Sequence, residues 1–149
     1  MNPFKTCTKC EYTWRDIDDF LKDPAICLVG FQANIQETEP GLYLFNHIPV
    51  ENPCGTTFSM DVEAFFSLYK GTMFKDLKFK SPECEGHCTR VEDLSRCPVE
   101  CKNAVAREIM QAFSKCENRV KAWRLLPKLI FVRATARWIV NKMPQQFKH

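Results

Sequence analysis

Leu42-Tyr43-Leu44-Phe45-Asn46-His47-Ile48, followed after a gap flanked by Pro49 and Pro53 by Cys54-Gly55-Thr56-Thr57-Phe58-Ser59-Met60, decides the fold. Each half is a strand-like run of aromatic, aliphatic and Thr residues, and the intervening prolines cannot continue a ladder. Upstream, Ile26 to Ile35 forms another such run, and Pro40-Gly41 marks the turn into Leu42. An antiparallel pair with a third candidate strand follows. His47 and Cys54 flank a turn containing Pro49 and Pro53 that follows the second strand.

Helical signals surround this sheet. Asp16-Ile17-Asp18-Asp19-Phe20-Leu21 supplies an acidic first turn and is stopped by Pro24. Asp61 is placed to cap a helix running through Val62, Phe65, Phe66 and Leu68 to Tyr69, with Gly71 just past its end. A further helix is expected from about Pro98 through Ala104, Val105, Ile109, Met110 and Phe113, whose apolar residues recur at three- and four-residue intervals. Between Met73 and Cys101 there is little periodicity, which reads as a loop held by its cysteines. The fold class is α+β: a small antiparallel sheet with flanking helices, a Cys-rich loop and a helical C-terminus. Residues 1–117 form the Cys-rich, metal-binding domain, and 118–149 a basic, apolar helical tail packed on the domain or on a partner.

The chain has nine cysteines in 149 residues. At about 6% they fall below the density of small disulfide scaffolds. Met1-Asn2-Pro3-Phe4-Lys5-Thr6-Cys7 lacks an apolar signal core, so the expected setting is cytoplasmic and reducing. There, clustered cysteines lean towards metal. Cys84, Cys88, Cys97 and Cys101 have the spacing C-x3-C-x8-C-x3-C. Tetrahedral zinc is satisfied by four such thiolates. An iron–sulfur cluster also takes four cysteines, and the Cys97-Pro98 step is of the kind that follows a cluster ligand. Two disulfides are the third option, although Gly86 argues against the helix that a stapled helical hairpin needs. His87, inside the first pair, reads as an exposed loop residue and otherwise as a replacement ligand.

Cys7-x2-Cys10 is a knuckle-like pair that needs two ligands from elsewhere, and His47 and Cys54 are the economical candidates. A site of three cysteines and one histidine would tie the N-terminus to the sheet, with Tyr12 and Trp14 packing over it. Cys27, in an apolar run, and Cys116 remain as small buried or unassigned thiols.

Charge is distributed unevenly along the chain. From Glu11 to Glu63 the only bases are Arg15 and Lys22, whereas from Asn118 to His149 there are bases and no acid. The tail interleaves these bases with Leu129 to Val132 and Trp138 to Val140, a run too short to span a bilayer. Packing in a core, in a homodimer or on a protein partner is favoured. An anionic membrane surface comes second, and nucleic acid rests on charge alone.

Catalysis is disfavoured. The sequence contains no phosphate loop, dinucleotide fingerprint or metalloprotease helix. A Cys54–His47 nucleophile pair lacks a third, orienting residue. The functional expectation is therefore a metal-binding domain, zinc first, in a regulatory, sensory or scaffolding role. An iron–sulfur or dithiol redox protein is the alternative, and a small Cys/His enzyme the second alternative.

Taken together, Cys7-x2-Cys10, Gly30-Phe31-Gln32, Leu44-Phe45-Asn46-His47, Cys54-Gly55-Thr56-Thr57, Glu83-Cys84-Glu85-Gly86-His87-Cys88 and Cys97-Pro98-Val99-Glu100-Cys101 resemble the pattern of a family of small Cys-rich bacterial proteins. The resemblance covers roughly residues 7 to 113, leaves out the basic tail and implies no activity. It implies only that these cysteine and histidine positions form a set.

Overall fold

The computed structural model describes residues 2–36, 41–49 and 54–116, the last three by their backbone alone. The basic tail, with the partner surfaces expected of it, and the side chain of Cys116 lie outside the described residues.

Among the described residues, five short strands and two α-helices make up an α+β fold. Strands β1 (Lys5–Thr6) and β2 (Thr13–Trp14) form an antiparallel hairpin. Helix α1 (Ile17–Lys22) follows; its N-cap Asp16 accepts a hydrogen bond from the Asp19 amide at 2.8 Å. Strands β3 (Ile26–Gln32), β4 (Leu42–His47) and β5 (Thr56–Asp61) then form an antiparallel sheet with β4 in the centre. Helix α2 (Lys102–Met110) comes last.

The period of two along β4 explains where the core lies. Tyr43, Phe45 and His47 are buried, whereas Leu42, Leu44 and Asn46 are half-buried. On β5 the same face carries Phe58, opposite Phe45, and Met60, opposite Tyr43. Phe20 and Phe113 stack on Phe45 edge to face, with centroids 5.1 and 5.2 Å away, and Phe65 meets Phe113 at 5.2 Å. Tyr43 donates its hydroxyl to the Ala106 carbonyl at 2.6 Å, fixing α2 against the sheet. His47 thus ends a row of core side chains.

Among the described residues the expected strands and helices are present with shifted limits, and the β1–β2 hairpin is an addition to them. β3 stops at Gln32 instead of reaching Ile35, because Asn34 turns the chain by accepting the Gln36 amide at 3.3 Å. The helix expected after Asp61 is a 3-10 helix, Val62–Leu68, and Asp61 makes no side-chain cap bond. Three residues per turn place Val62 and Phe65 on one side, and both are fully buried. α2 starts at Lys102, four residues after Pro98, with Cys101 at its N-cap. The preceding chain is held as loop: the Lys102 amide donates to the Asp76 carbonyl at 2.9 Å, and the Lys78 amide to Cys101 Sγ at 3.3 Å.

The cysteine-rich loop also runs against β3. The Phe31 amide donates to the Val91 carbonyl at 2.8 Å. A Cβ on Gly30 would lie 2.8 Å from Val91 Cγ1 and 3.2 Å from Leu44 Cδ1, so a larger residue here would press on the loop. No helix among the described residues is long and apolar enough to cross a membrane.

Candidate metal centre

The six residues between β1 and β2, Cys7 to Tyr12, form a tight knuckle. The Cys7 amide donates to the Tyr12 carbonyl at 2.7 Å and the Glu11 amide to the Cys7 carbonyl at 3.0 Å. Glu11, directly after Cys10, has φ 60, a left-handed conformation that lets the chain turn back. The second pair of donors lies on another hairpin. His47 ends β4, and Cys54 precedes β5 by two residues. Gly55, with φ 61, donates its amide to the His47 carbonyl at 3.0 Å, closing this loop at its base.

The two hairpins meet at their ends, and one donor atom from each of Cys7, Cys10, His47 and Cys54 falls within 4.8 Å of all the others. Cys7 Sγ is 3.6 Å from Cys54 Sγ, and Cys10 Sγ is 3.4 Å from His47 Nδ1. With zinc–sulfur bonds near 2.3 Å and zinc–nitrogen bonds near 2.0–2.1 Å, a tetrahedron has edges of about 3.8 Å between sulfurs and about 3.5 Å from sulfur to nitrogen. Both observed separations match these edges. The Cys7–Cys54 distance of 3.6 Å is far beyond a disulfide bond, and both thiols are free. This donor set can hold a metal ion.

The surroundings fix the donors. Cys7, His47 and Cys54 are buried and Cys10 is half-buried. Trp14 meets the His47 ring edge to face at 4.9 Å, and Tyr12 lies tilted on it at 5.7 Å, so the two aromatics cover the site as expected. The Lys9 ammonium donates to the Cys54 carbonyl at 2.6 Å, and Lys5 donates to the Ser59 carbonyl at 3.1 Å. A two-stranded ribbon is marginal alone. These contacts dock it on the sheet.

The thiols differ in acidity. Burial pushes Cys7 up, but the amides of Cys10 and Lys9, aimed at its sulfur, together with the side chains of His47 and Cys10, bring it down to about 6. Cys10 accepts the Tyr12 amide, which lowers it, yet burial and the neighbouring sulfurs of Cys7 and Cys54 prevail and raise it. An activated nucleophile needs an acidic thiol that a substrate can reach. Here the acidic thiol is wholly buried and the more exposed one is not acidic.

The four later cysteines are arranged differently. Cys84, Cys88, Cys97 and Cys101 all line one small cleft, and all four thiols are free. They are not drawn to the mutual distances of the first group, which among the described residues is where three or more donor atoms converge. His87, expected to be an exposed loop residue, is instead half-buried. Its Nδ1 lies 3.0 Å from Asp93 and its Nε2 2.9 Å from Glu85. Ser95 Oγ reaches His87 Nδ1 at 3.2 Å and also bonds the Asp93 carboxylate. The serine and the aspartate share one ring nitrogen, so this is a clasp closing the loop between the two cysteine pairs. Cys27 is buried in β3, as expected of a small apolar residue.

Sequence reasoning missed Arg107. It is fully buried in α2, with its guanidinium over the Phe31 ring at 5.5 Å. Its position among the apolar residues of α2 was a signal, because a buried arginine requires a partner. No protein-family model matches the chain, nor does any curated protein or solved structure.

Proposed function

We propose that the protein is a zinc-binding domain whose Cys7–Cys10–His47–Cys54 centre clamps the N-terminal hairpin onto the three-stranded sheet. The convergence of four donor atoms from two hairpins within 4.8 Å supports this reading. Zinc suits the set because it accepts thiolate and imidazole together and imposes a tetrahedron. All four positions are filled by protein atoms, so the ion has no open site for substrate and acts structurally. The free energy of binding becomes folding energy, which a domain with such short strands needs.

A cytoplasmic setting goes with this reading, since thiolate ligands must remain reduced. The clamped domain then serves as a regulatory, sensory or scaffolding module, with the sheet as its rigid base. Elemental analysis and a visible spectrum of protein purified without oxygen or chelator test the proposal. Zinc with no colour supports it. Iron with sulfide, or metal-free folded protein, overturns it.

A further inference from the structure

We propose that Cys84, Cys88, Cys97 and Cys101 close on a second metal ion of the zinc class, with Arg107 as its buried countercharge. This goes beyond the first centre and does not depend on it.

Three independent features point to a ligand in this cleft. The first is its lining: all four cysteines border a space of about 10 Å³, with Phe79, Val99 and Ala104 as apolar walls. That is about the room one small sphere needs. The four thiols would have to move inward to reach zinc–sulfur bonds of about 2.3 Å. The chain around them allows this, because two of the four sit on loop and Cys88 on a single 3-10 turn, His87–Thr89.

The second feature is a buried guanidinium with idle donors. Arg107 is fully buried, and its Nη1 donates to the carbonyls of Asp93 and Ser95 at 2.7 and 3.0 Å. Its Nε and Nη2 have no hydrogen-bond partner. The nearest carboxylate oxygen, from Asp93, is 3.7 Å from Nη1, and Asp93 is already engaged by His87, Arg90 and Ser95. A buried cation with idle donors is costly unless an anion faces it. Zinc held by four thiolates carries two net negative charges. Arg107 and Asn103 both flank Cys88, and the buried Asn103 Oδ1 is likewise without a partner.

The third feature is the backbone. Cys101 is the N-cap of the nine-residue helix α2, so its sulfur sits at the positive end of the helix dipole. The Lys78 amide already donates to that sulfur at 3.3 Å. The His87–Asp93–Ser95 clasp, described above, holds the intervening loop so that the two pairs face each other.

The test compares wild-type protein with a Cys97→Ser/Cys101→Ser variant, a Cys7→Ser/Cys54→Ser variant and Arg107→Gln, each purified under zinc and then exchanged with cobalt(II). Supporting results are a second equivalent of zinc in the wild type that the Cys97/Cys101 variant lacks, and tetrahedral cobalt bands of all-sulfur type that this variant loses. The Cys7/Cys54 variant keeps those bands, so failure of the first centre and failure of this one are told apart. Arg107→Gln is expected to weaken cobalt at this site about 10- to 100-fold and leave the first centre alone, with Arg107→Lys retaining more of the affinity. If Arg107→Gln does not fold, chelator titration of the wild type decides, and two separate release steps are the supporting result. Equal metal content in the wild type and the Cys97/Cys101 variant overturns the proposal. So does a brown protein containing iron and sulfide that bleaches in the same variant.

Discussion

Cys10 Sγ lies 3.4 Å from Nδ1 of His47, a residue 37 positions further along the chain. The contact joins two hairpins that share no strand pairing. It exists because the alternation along β4 puts His47 in line with Tyr43 and Phe45 on the buried face, while the knuckle after β1 turns Cys10 towards that face. From this relationship the behaviour of the domain follows.

Cys54→Ala should remove the metal from the first centre and destabilise the fold by more than about 4 kcal/mol, the range reached when a structural metal is lost. Calorimetry with metal analysis on the same sample checks this. An unchanged melting temperature together with unchanged zinc would count against a structural role.

Stability of the chelator-treated protein should rise with pH between about 6 and 9. The folded value of Cys7 is about 6, below its ordinary 9.0, so the folded chain releases this proton before the unfolded chain does. The contribution is fully present above about 9 and is lost as pH falls through about 6. Thermal unfolding across this window reads the sign, and Cys7→Ser should flatten the curve.

Trp14 is fully buried between Phe20 and His47, with centroids at 5.3 and 4.9 Å. Trp14→Ala should cost about 3–5 kcal/mol, and Trp14→Phe distinctly less. Because the indole also orients the His47 ring, zinc release to a chelator should be faster in Trp14→Ala than in Trp14→Phe.

Gly30→Ala should destabilise by about 1–3 kcal/mol, since the new methyl would press on Val91 and Leu44. Hydrogen exchange should then show the amide of Phe31, which bonds Val91, losing protection first. Uniform loss over β3 would place the damage in the sheet and not in the loop contact.

Asp93 is held well below the usual carboxylate range, first by Ser95 and then by His87, against the opposing effect of burial. Its contribution is present above its ordinary value of 3.8 and lost as pH falls into the acid range. Asp93→Asn should therefore leave acid stability nearly unchanged while lowering stability at neutral pH.

The first centre was largely legible in the sequence. Cys7-x2-Cys10 announces a knuckle, and the Pro49–Pro53 interruption announces that His47 and Cys54 share one end of a hairpin. Strands β3, β4 and β5 were legible for the same reason, since their runs are bounded by prolines and glycines, whereas the two-residue strands β1 and β2 are too short to leave a period. Element ends were not, because side-chain bonds such as Asn34 to the Gln36 amide, or Lys78 to Cys101 Sγ, terminate structure without a periodic trace. The clasp of His87, Asp93 and Ser95 escaped because its partners are polar residues in a stretch with no period. Arg107 escaped because helical periodicity marks faces, and α2 is buried on nearly all of its circumference.

The most direct measurement is the zinc content of the wild type beside that of a Cys10→Ser/Cys54→Ser variant, each dialysed against the same weak chelator. The double variant should lose one equivalent of zinc and melt at a markedly lower temperature. Identical zinc content and identical melting in the two proteins would contradict the clamp formed by Cys7, Cys10, His47 and Cys54.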